Sequence, residues 1–223
     1  MRHRVLFFMT LFLLAASLLI AQDRRVVYQT NESITVHALF DLSHEFSFYT
    51  DGRFATQYLK GQHHAMNWGN LYDLNFSNTN LLALLGCDDR SPYMEEDVNA
   101  IEKYVKDGGG LLILGKPHKD SQNKLAQQFG VEFTGTTGEP LRFLEYATGV
   151  VESQGNATSL KLEYPADWEV IVQDEKGTPV LVVSKEGNVV IGSRSLAGSN
   201  PNASDSINVA MWKPLLLTIR ANA

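Results

Sequence analysis

Side chains able to carry acid–base chemistry follow an apolar run near the start of the chain. The segment Asp41-Leu-Ser-His44 places a carboxylate, a hydroxyl and an imidazole close together, and Glu45 comes next. His44 could act as a general base oriented by Asp41 or Glu45, with Ser43 as a nucleophile or ligand group. Neighbouring side chains rarely face each other, so we do not expect a Ser43–His44 dyad. Alternatively, Asp41 and Ser43 cap the loop through backbone hydrogen bonds while His44 packs over the next segment.

Cys87 is the second candidate nucleophile, and it is the only cysteine of the chain. An intramolecular disulfide is therefore excluded. Its neighbours Asp88 and Asp89 disfavour the thiolate form that a nucleophile needs. This position favours a structural thiol, and Asp88 is a candidate for binding a ligand.

Basic side chains supply a third possibility, a small anion site. Lys116, His118 and Arg194 each follow a predicted strand, so they could bind a carboxylate or an acidic sugar together. The alternative is that they are solvated loop charges. The histidines lack the His-x-x-x-His spacing of a helical metal site, and we expect neither a metal nor another cofactor.

The elements that must position these residues alternate between strands and helices. Continuous apolar runs predict buried strands over residues 34–40, 81–85 and 111–114, and a weaker strand over 63–68. One predicted helix begins with Ser91 as N-cap and Pro92 at the first helical position, and it ends at the glycines 108–110. Shorter helices are predicted over 52–62 and 120–129. Strands alternating with helices indicate an α/β fold with a mostly parallel sheet and helices on both faces.

The second half of the chain has a different pattern. Residues 131–187 form a predicted β-rich insertion, with strands over 141–146, 159–164, 168–173 and 179–184, followed by a strand over 188–191. The turn at 185–188 predicts a hairpin. Residues 207–219 predict a closing helix that Pro214 breaks or kinks.

The N-terminus predicts export. Arg2 and Arg4 precede an apolar run over 5–20, and charged residues follow it. We therefore expect residues 1–21 to be a signal peptide, residues 26–223 to form one domain, and the protein to be secreted, periplasmic or extracellular, with no membrane span after cleavage. Removing those two of the 19 basic residues leaves 17 against 25 acidic ones, so nucleic acid is a poor candidate partner.

The block from residue 81 to 115, which contains "SPYMEEDVNAIEKYVKDGGG" followed by "LLILG", resembles the class I glutamine amidotransferase-like superfamily. With "DLSH" after the first strand and the closing "GNVVIGSRSLAGS", it is similar to an exported branch of that superfamily. The resemblance implies a flavodoxin-like fold whose ligands meet the carboxyl ends of the strands. It also implies a catalytic cysteine after residues 111–114, where Lys116 stands instead, and a His-Pro-Glu signature that residues 192–199 lack.

Two functional hypotheses follow from this resemblance. The first is a non-catalytic binding or interaction domain, an accessory module of a larger extracellular protein that processes glycans or peptides. The second is a secreted hydrolase that uses His44, Asp41 and a residue near Cys87 or Lys116. The missing signatures favour the first, with a protein, a glycan or another small molecule as the unknown ligand.

Overall fold

A computed structural model gives the structure of residues 35–44, 54–55, 58–59, 62–86, 90–117, 119–144, 150–151, 155–197, 211–212, 215–216 and 219. These residues form an α/β fold in which a nine-stranded sheet is accompanied by a two-stranded sheet. Two α-helices have bounds within the described ranges. The predicted signal peptide lies outside these residues, and none of the helices they contain is long and apolar enough to cross a membrane.

Five mutually parallel strands form one part of the large sheet, from its edge strand inwards. They are β1 (His37–Asp41), β2 (His63–Asn67), β3 (Leu81–Leu84), β4 (Gly110–Gly115) and β11 (Val189–Ser193). Their spatial order is β2-β1-β3-β4-β11, with every neighbouring pair parallel. β2 lies on one side of β1, and β3 lies on the other side, so the direction in which strands are added to the sheet reverses at β1. Open α/β sheets bind ligands at positions of this type. We call the side of the sheet where these strands end the carboxyl edge.

Antiparallel strands extend the same sheet beyond β11. They are β10 (Pro179–Ser184), β9 (Trp168–Asp174), β6 (Leu141–Phe143) and β7 (Val150–Val151). The predicted hairpin joins β10 to β11, and Gly187 adopts the positive φ of 78° that its turn requires. β5 (Val131–Thr137) and β8 (Ala157–Leu162) pair separately. β5 was not predicted from the sequence, because its threonines and glycine interrupt the apolar pattern.

The helices α1 (Glu95–Lys106) and α2 (Asp120–Gln127) follow β3 and β4. The predicted start of α1 is wrong, because Met94 rather than Ser91 is the N-cap. The Asp97 carboxylate accepts the Met94 N–H at 3.1 Å, whereas the Tyr93 N–H donates to Ser121 Oγ of α2 at 2.7 Å. The segment before Met94 is therefore held against α2 and does not form the first turn of α1.

Two apolar clusters cover the sheet. Alternate residues of β3 point to opposite faces, so Leu82 joins the cluster with α1 and α2, and Leu81 joins the other. The second cluster includes Phe54, Tyr58 and Trp212, which belong to two stretches with a predicted helical pattern. The helices predicted over 52–62 and 207–219 otherwise lie largely outside the described residues.

Gly192 of β11 is paired with Leu181 of β10. A Cβ at this position would be 2.3 Å from Leu181 Cδ1 and 3.1 Å from the Val180 carbonyl oxygen. We expect Gly192→Ala to lower the free energy of unfolding by about 1–3 kcal/mol, because the rigid β10 backbone cannot move away. Gly135→Ala in β5, with no atom within 4 Å of its added Cβ, is the matched control for urea denaturation. Equal midpoints for the two variants would contradict this packing.

Candidate functional site

Asp41 ends β1 at the carboxyl edge, where its carboxylate is 3% exposed. Oδ1 accepts hydrogen bonds from the Ser43 N–H at 3.1 Å, the Ser43 hydroxyl at 2.6 Å and Asn67 Nδ2 at 3.3 Å. Oδ2 lies 2.6 Å from His44 Nδ1. The chain turns sharply here because a side chain at the strand end takes over the hydrogen bonds that the next strand residues would have made.

His44 lies between two carboxylates and is 7% exposed. Its Nδ1 faces Asp41, and its Nε2 lies 3.3 Å from Asp97 Oδ2. The ring stacks on Tyr93, with a centroid separation of 4.1 Å and an interplanar angle of 26°. Burial lowers the pKa of His44, but the hydrogen bond and charge of Asp41, together with those of Asp97, outweigh burial and raise the pKa above its usual value.

Asp97 is the residue that connects this loop to the rest of the fold. Its Oδ1 accepts the Leu71 N–H at 3.0 Å and the Tyr72 N–H at 3.4 Å, while Oδ2 accepts the Met94 N–H and faces His44. Three chain segments therefore meet at one buried carboxylate. Asp97 was not among the site residues predicted from the sequence, although spacing offered a signal, since it is four residues before buried Ile101 and so shares its helical face.

The contacts of His44 favour its protonated form, because each ring nitrogen faces a carboxylate oxygen. This agrees with the raised pKa of the ring. An imidazolium has no lone pair, so in that form His44 could not take a proton from a nucleophile. One positive and two negative charges remain, and the backbone N–H donors and the start of α1 stabilise the surplus negative charge.

Ser43 contacts His44 directly, and the expectation that these neighbours do not face each other is wrong. Ser43 Oγ lies 2.7 Å from His44 Nδ1 because the tight turn directs both side chains towards Asp41. His44 Nδ1 faces both Asp41 and Ser43. In a catalytic triad one ring nitrogen contacts the acid and the other contacts the nucleophile. With Nδ1 protonated, Ser43 can accept from the ring and donate to Asp41.

Lys116 and Arg194 follow neighbouring strand ends, since Gly115 of β4 is paired with Ser193 of β11. Lys116 is exposed, whereas Arg194 is buried at 7% exposure and engaged in interactions, so Arg194 is not a solvated loop charge. Ser193 Oγ accepts the Thr158 N–H at 2.8 Å, which attaches β8 to this part of the carboxyl edge.

Cys87, Asp88 and His118 lie outside the described residues, so their predicted roles stay predictions. Lys116 immediately follows β4, and α2 begins at Asp120. Within the described part of the chain, no group of three or more His, Cys, Asp or Glu side chains is arranged to hold a metal ion.

Comparison with solved structures places this geometry in a known type of fold. The chain is similar to PurLQS from Thermotoga maritima, with a TM-score of 0.54 and 11% identity over 83% of this chain and 98% of that chain. It is also similar to a protein of the GMP synthase type from Thermoplasma acidophilum, with a TM-score of 0.52 and 10% identity over 84% and 95%. No family model matches the sequence, and no curated protein matches it.

Exo-β-1,4-mannosidase Op5Man5 from Opitutaceae bacterium strain TAV5 is a third similar structure. Its TM-score is 0.55 with 14% identity, and the match covers 80% of this chain. The chain spans only about a third of the mannosidase, 35% of its length. At these identities the similarities establish the fold alone, an α/β fold with a mostly parallel sheet.

Asp97→Asn should destabilise the protein strongly. The substitution leaves the His44 imidazolium facing an amide and weakens the hold on the Leu71 and Tyr72 N–H groups. Because Asp41 still balances the charge of His44, the loss comes from the hydrogen bonds that the charged Asp97 oxygens accept, and we expect about 1.5–3 kcal/mol in urea denaturation at pH 6. Asp107→Asn, on the exposed end of the same helix, is the control and should change stability by less than about 0.5 kcal/mol.

His44 should make stability depend on pH. Because its folded-state pKa is raised, its charge contributes stability that is fully present below the unfolded value of about 6.5 and is lost as the pH rises through the folded-state pKa. We expect the unfolding free energy to fall across that interval. The His44→Gln variant should lack the stability that this charge contributes. The difference in unfolding free energy between the parent and the variant should therefore shrink as the pH rises. A difference that grows with pH would show that the folded protein holds His44 neutral.

Proposed function

We propose that the protein is an exported, non-catalytic domain of the amidotransferase-like type, with a flavodoxin-like sheet covered by helices on both faces. It binds a ligand at the carboxyl edge and acts as an accessory module in glycan or peptide processing. The observation that carries this proposal is the position of His44 between Asp41 and Asp97. Because both ring nitrogens face carboxylates, the best candidate base at this edge has no free lone pair.

The residue after β4 gives independent support. In the resembled superfamily this turn carries the nucleophilic cysteine, and here it carries Lys116. An ammonium is protonated at neutral pH and binds an anion as a point charge instead of attacking a carbonyl carbon. Lys116 is exposed at this edge, which therefore favours a ligand bearing a carboxylate or an acidic sugar.

The similar structures support a connection with carbohydrates. One is an exo-β-1,4-mannosidase, and another, Agd3, is a carbohydrate deacetylase with a TM-score of 0.53 and 11% identity. This chain corresponds to 35% and 32% of those two chains. A domain of this fold thus occurs within larger carbohydrate-active proteins, which is the setting proposed for this chain.

A hydrolase is the second candidate function, and one contact favours it. The Ser43 Oγ–His44 Nδ1 distance of 2.7 Å, with Asp97 on Nε2, matches the sequence of contacts in a Ser-His-Asp triad. Catalysis by this set requires Nδ1 to lose its proton while Asp41 lies 2.6 Å away. That requirement makes the hydrolase the weaker proposal.

One set of variants tests these two proposals. The purified protein is assayed for hydrolysis of glutamine, p-nitrophenyl acetate and p-nitrophenyl glycosides, beside His44→Gln, Ser43→Ala and Cys87→Ala. We expect no turnover above the blank for any of the four proteins. Turnover in the parent that either Ser43→Ala or Cys87→Ala abolishes would sink the non-catalytic proposal.

Binding at the carboxyl edge is measured separately by calorimetry with tetragalacturonate and an acidic peptide. We expect one of them to bind, and Lys116→Ala to weaken that binding roughly tenfold through loss of a charge-assisted hydrogen bond. Lys185→Ala, an exposed lysine in the turn before β11, is the control at the opposite end of that strand. Equal losses of affinity in Lys116→Ala and Lys185→Ala would show that net charge, and not a site at this edge, determines binding.

A further inference from the structure

A cleft of about 540 Å³ lies beside α1, and its lining does not include Asp41, His44 or Asp97. Its walls are the two 3-10 turns Leu71–Asp73 and Phe76–Asn78 on one side and the second half of α1 on the other. It extends to Gly108 and Gly109, just before β4 begins. Its volume falls within the range of small-molecule sites, and neither proposed function uses it.

Aromatic side chains form much of the cleft surface. Tyr72 is 47% exposed, and the rings of Phe76 and Tyr104 contact each other at a centroid distance of 4.9 Å and an angle of 41°. Tyr104 packs against the Gly109 backbone so closely that a Cβ there would be 2.3 Å from the ring. This contact fixes Tyr104, so the floor of the cleft is formed before any ligand binds.

Polar groups lie on the same walls. Asn75 Oδ1 accepts the Ser77 N–H at 2.9 Å, so the NH₂ end of its side chain is the part that can donate to a ligand. Lys103 and Asp107 form an exposed ion pair at the rim. One positive and one negative charge cancel there, so the cleft offers donors and acceptors without net charge.

We propose that this cleft binds a neutral saccharide unit. A sugar ring has C–H groups that pack on aromatic surfaces and hydroxyls around its perimeter that reach amide, ammonium and carboxylate groups. It carries no charge, which matches the balanced rim. A flat heteroaromatic ligand fits less well, because rings tilted by 41° do not form a parallel slot. The proposal does not depend on a ligand at the carboxyl edge.

Calorimetry with five probes tests this proposal on the purified protein. The probes are cellotetraose, mannotetraose, chitotetraose, the acidic tetragalacturonate and adenosine. We expect at least one neutral tetrasaccharide to bind more tightly at the cleft than the last two probes. Tyr72→Ala and Asn75→Ala should each weaken that binding about fivefold to tenfold. Tyr72 is exposed, so the melting temperature of Tyr72→Ala should stay close to that of the parent. Asn75→Ala also loses the hydrogen bond to the Ser77 N–H, so its affinity is measured well below its own melting temperature.

Tyr164→Ala is the matched control, because Tyr164 is also an exposed tyrosine, at 59%, and lies outside the cleft. Its affinity for the saccharide should equal that of the parent. The proposal fails if no neutral tetrasaccharide binds, if tetragalacturonate or adenosine binds more tightly at the cleft, or if Tyr72→Ala and Tyr164→Ala behave alike. Loss of neutral-saccharide binding in Lys116→Ala but not in Tyr72→Ala would also reject the cleft, while supporting a ligand at the carboxyl edge.

Discussion

The contact of one imidazolium with two buried carboxylates determines how the carboxyl edge is built. Asp41, His44 and Asp97 are almost fully buried, so the attraction between their charges is only weakly screened by water. Such a cluster is stable only when its remaining hydrogen-bonding capacity is satisfied, and here Asn67, Ser43 and backbone N–H groups satisfy it. The cluster joins the end of β1, the segment after β2 and the start of α1, which are separate in the sequence.

The same contact limits what the edge can do chemically. A histidine general base needs one nitrogen held by an orienting group and the other free to receive a proton. In this chain both nitrogens of His44 face carboxylates, and this is the basis of the proposed non-catalytic role of the edge. The strand-order reversal at β1 nevertheless leaves this edge where α/β sheets meet their ligands. A rigid, charged edge without a free base suits recognition better than turnover.

The sequence predicted the parallel strands well and the site only in part. Runs such as residues 81–84 and 111–114 are apolar at every position because both faces of the sheet are covered, and that pattern is visible locally. The sequence did not identify Asp97 as a site residue, because acidic residues are common in the first turn of a helix, where they stabilise the helix dipole. Its contact with His44 spans 53 residues, and no local pattern encodes a pairing of that separation. The start of α1 was predicted too early for a similar reason, because the Tyr93 N–H donates to Ser121 Oγ of α2 across 28 residues of sequence.

Asp97 also links the two proposed binding regions. Its Oδ2 faces His44 at the carboxyl edge, while its Oδ1 accepts the backbone N–H of Tyr72, whose side chain lines the cleft. The turn that presents Tyr72 is therefore held by the same carboxylate that holds the imidazolium. Deprotonation of His44 would leave Asp97 without its positive partner, and the hydrogen bonds of that carboxylate to Leu71 and Tyr72 would have to accommodate the change. The geometry of the cleft and the charge of the edge thus depend on a single buried side chain.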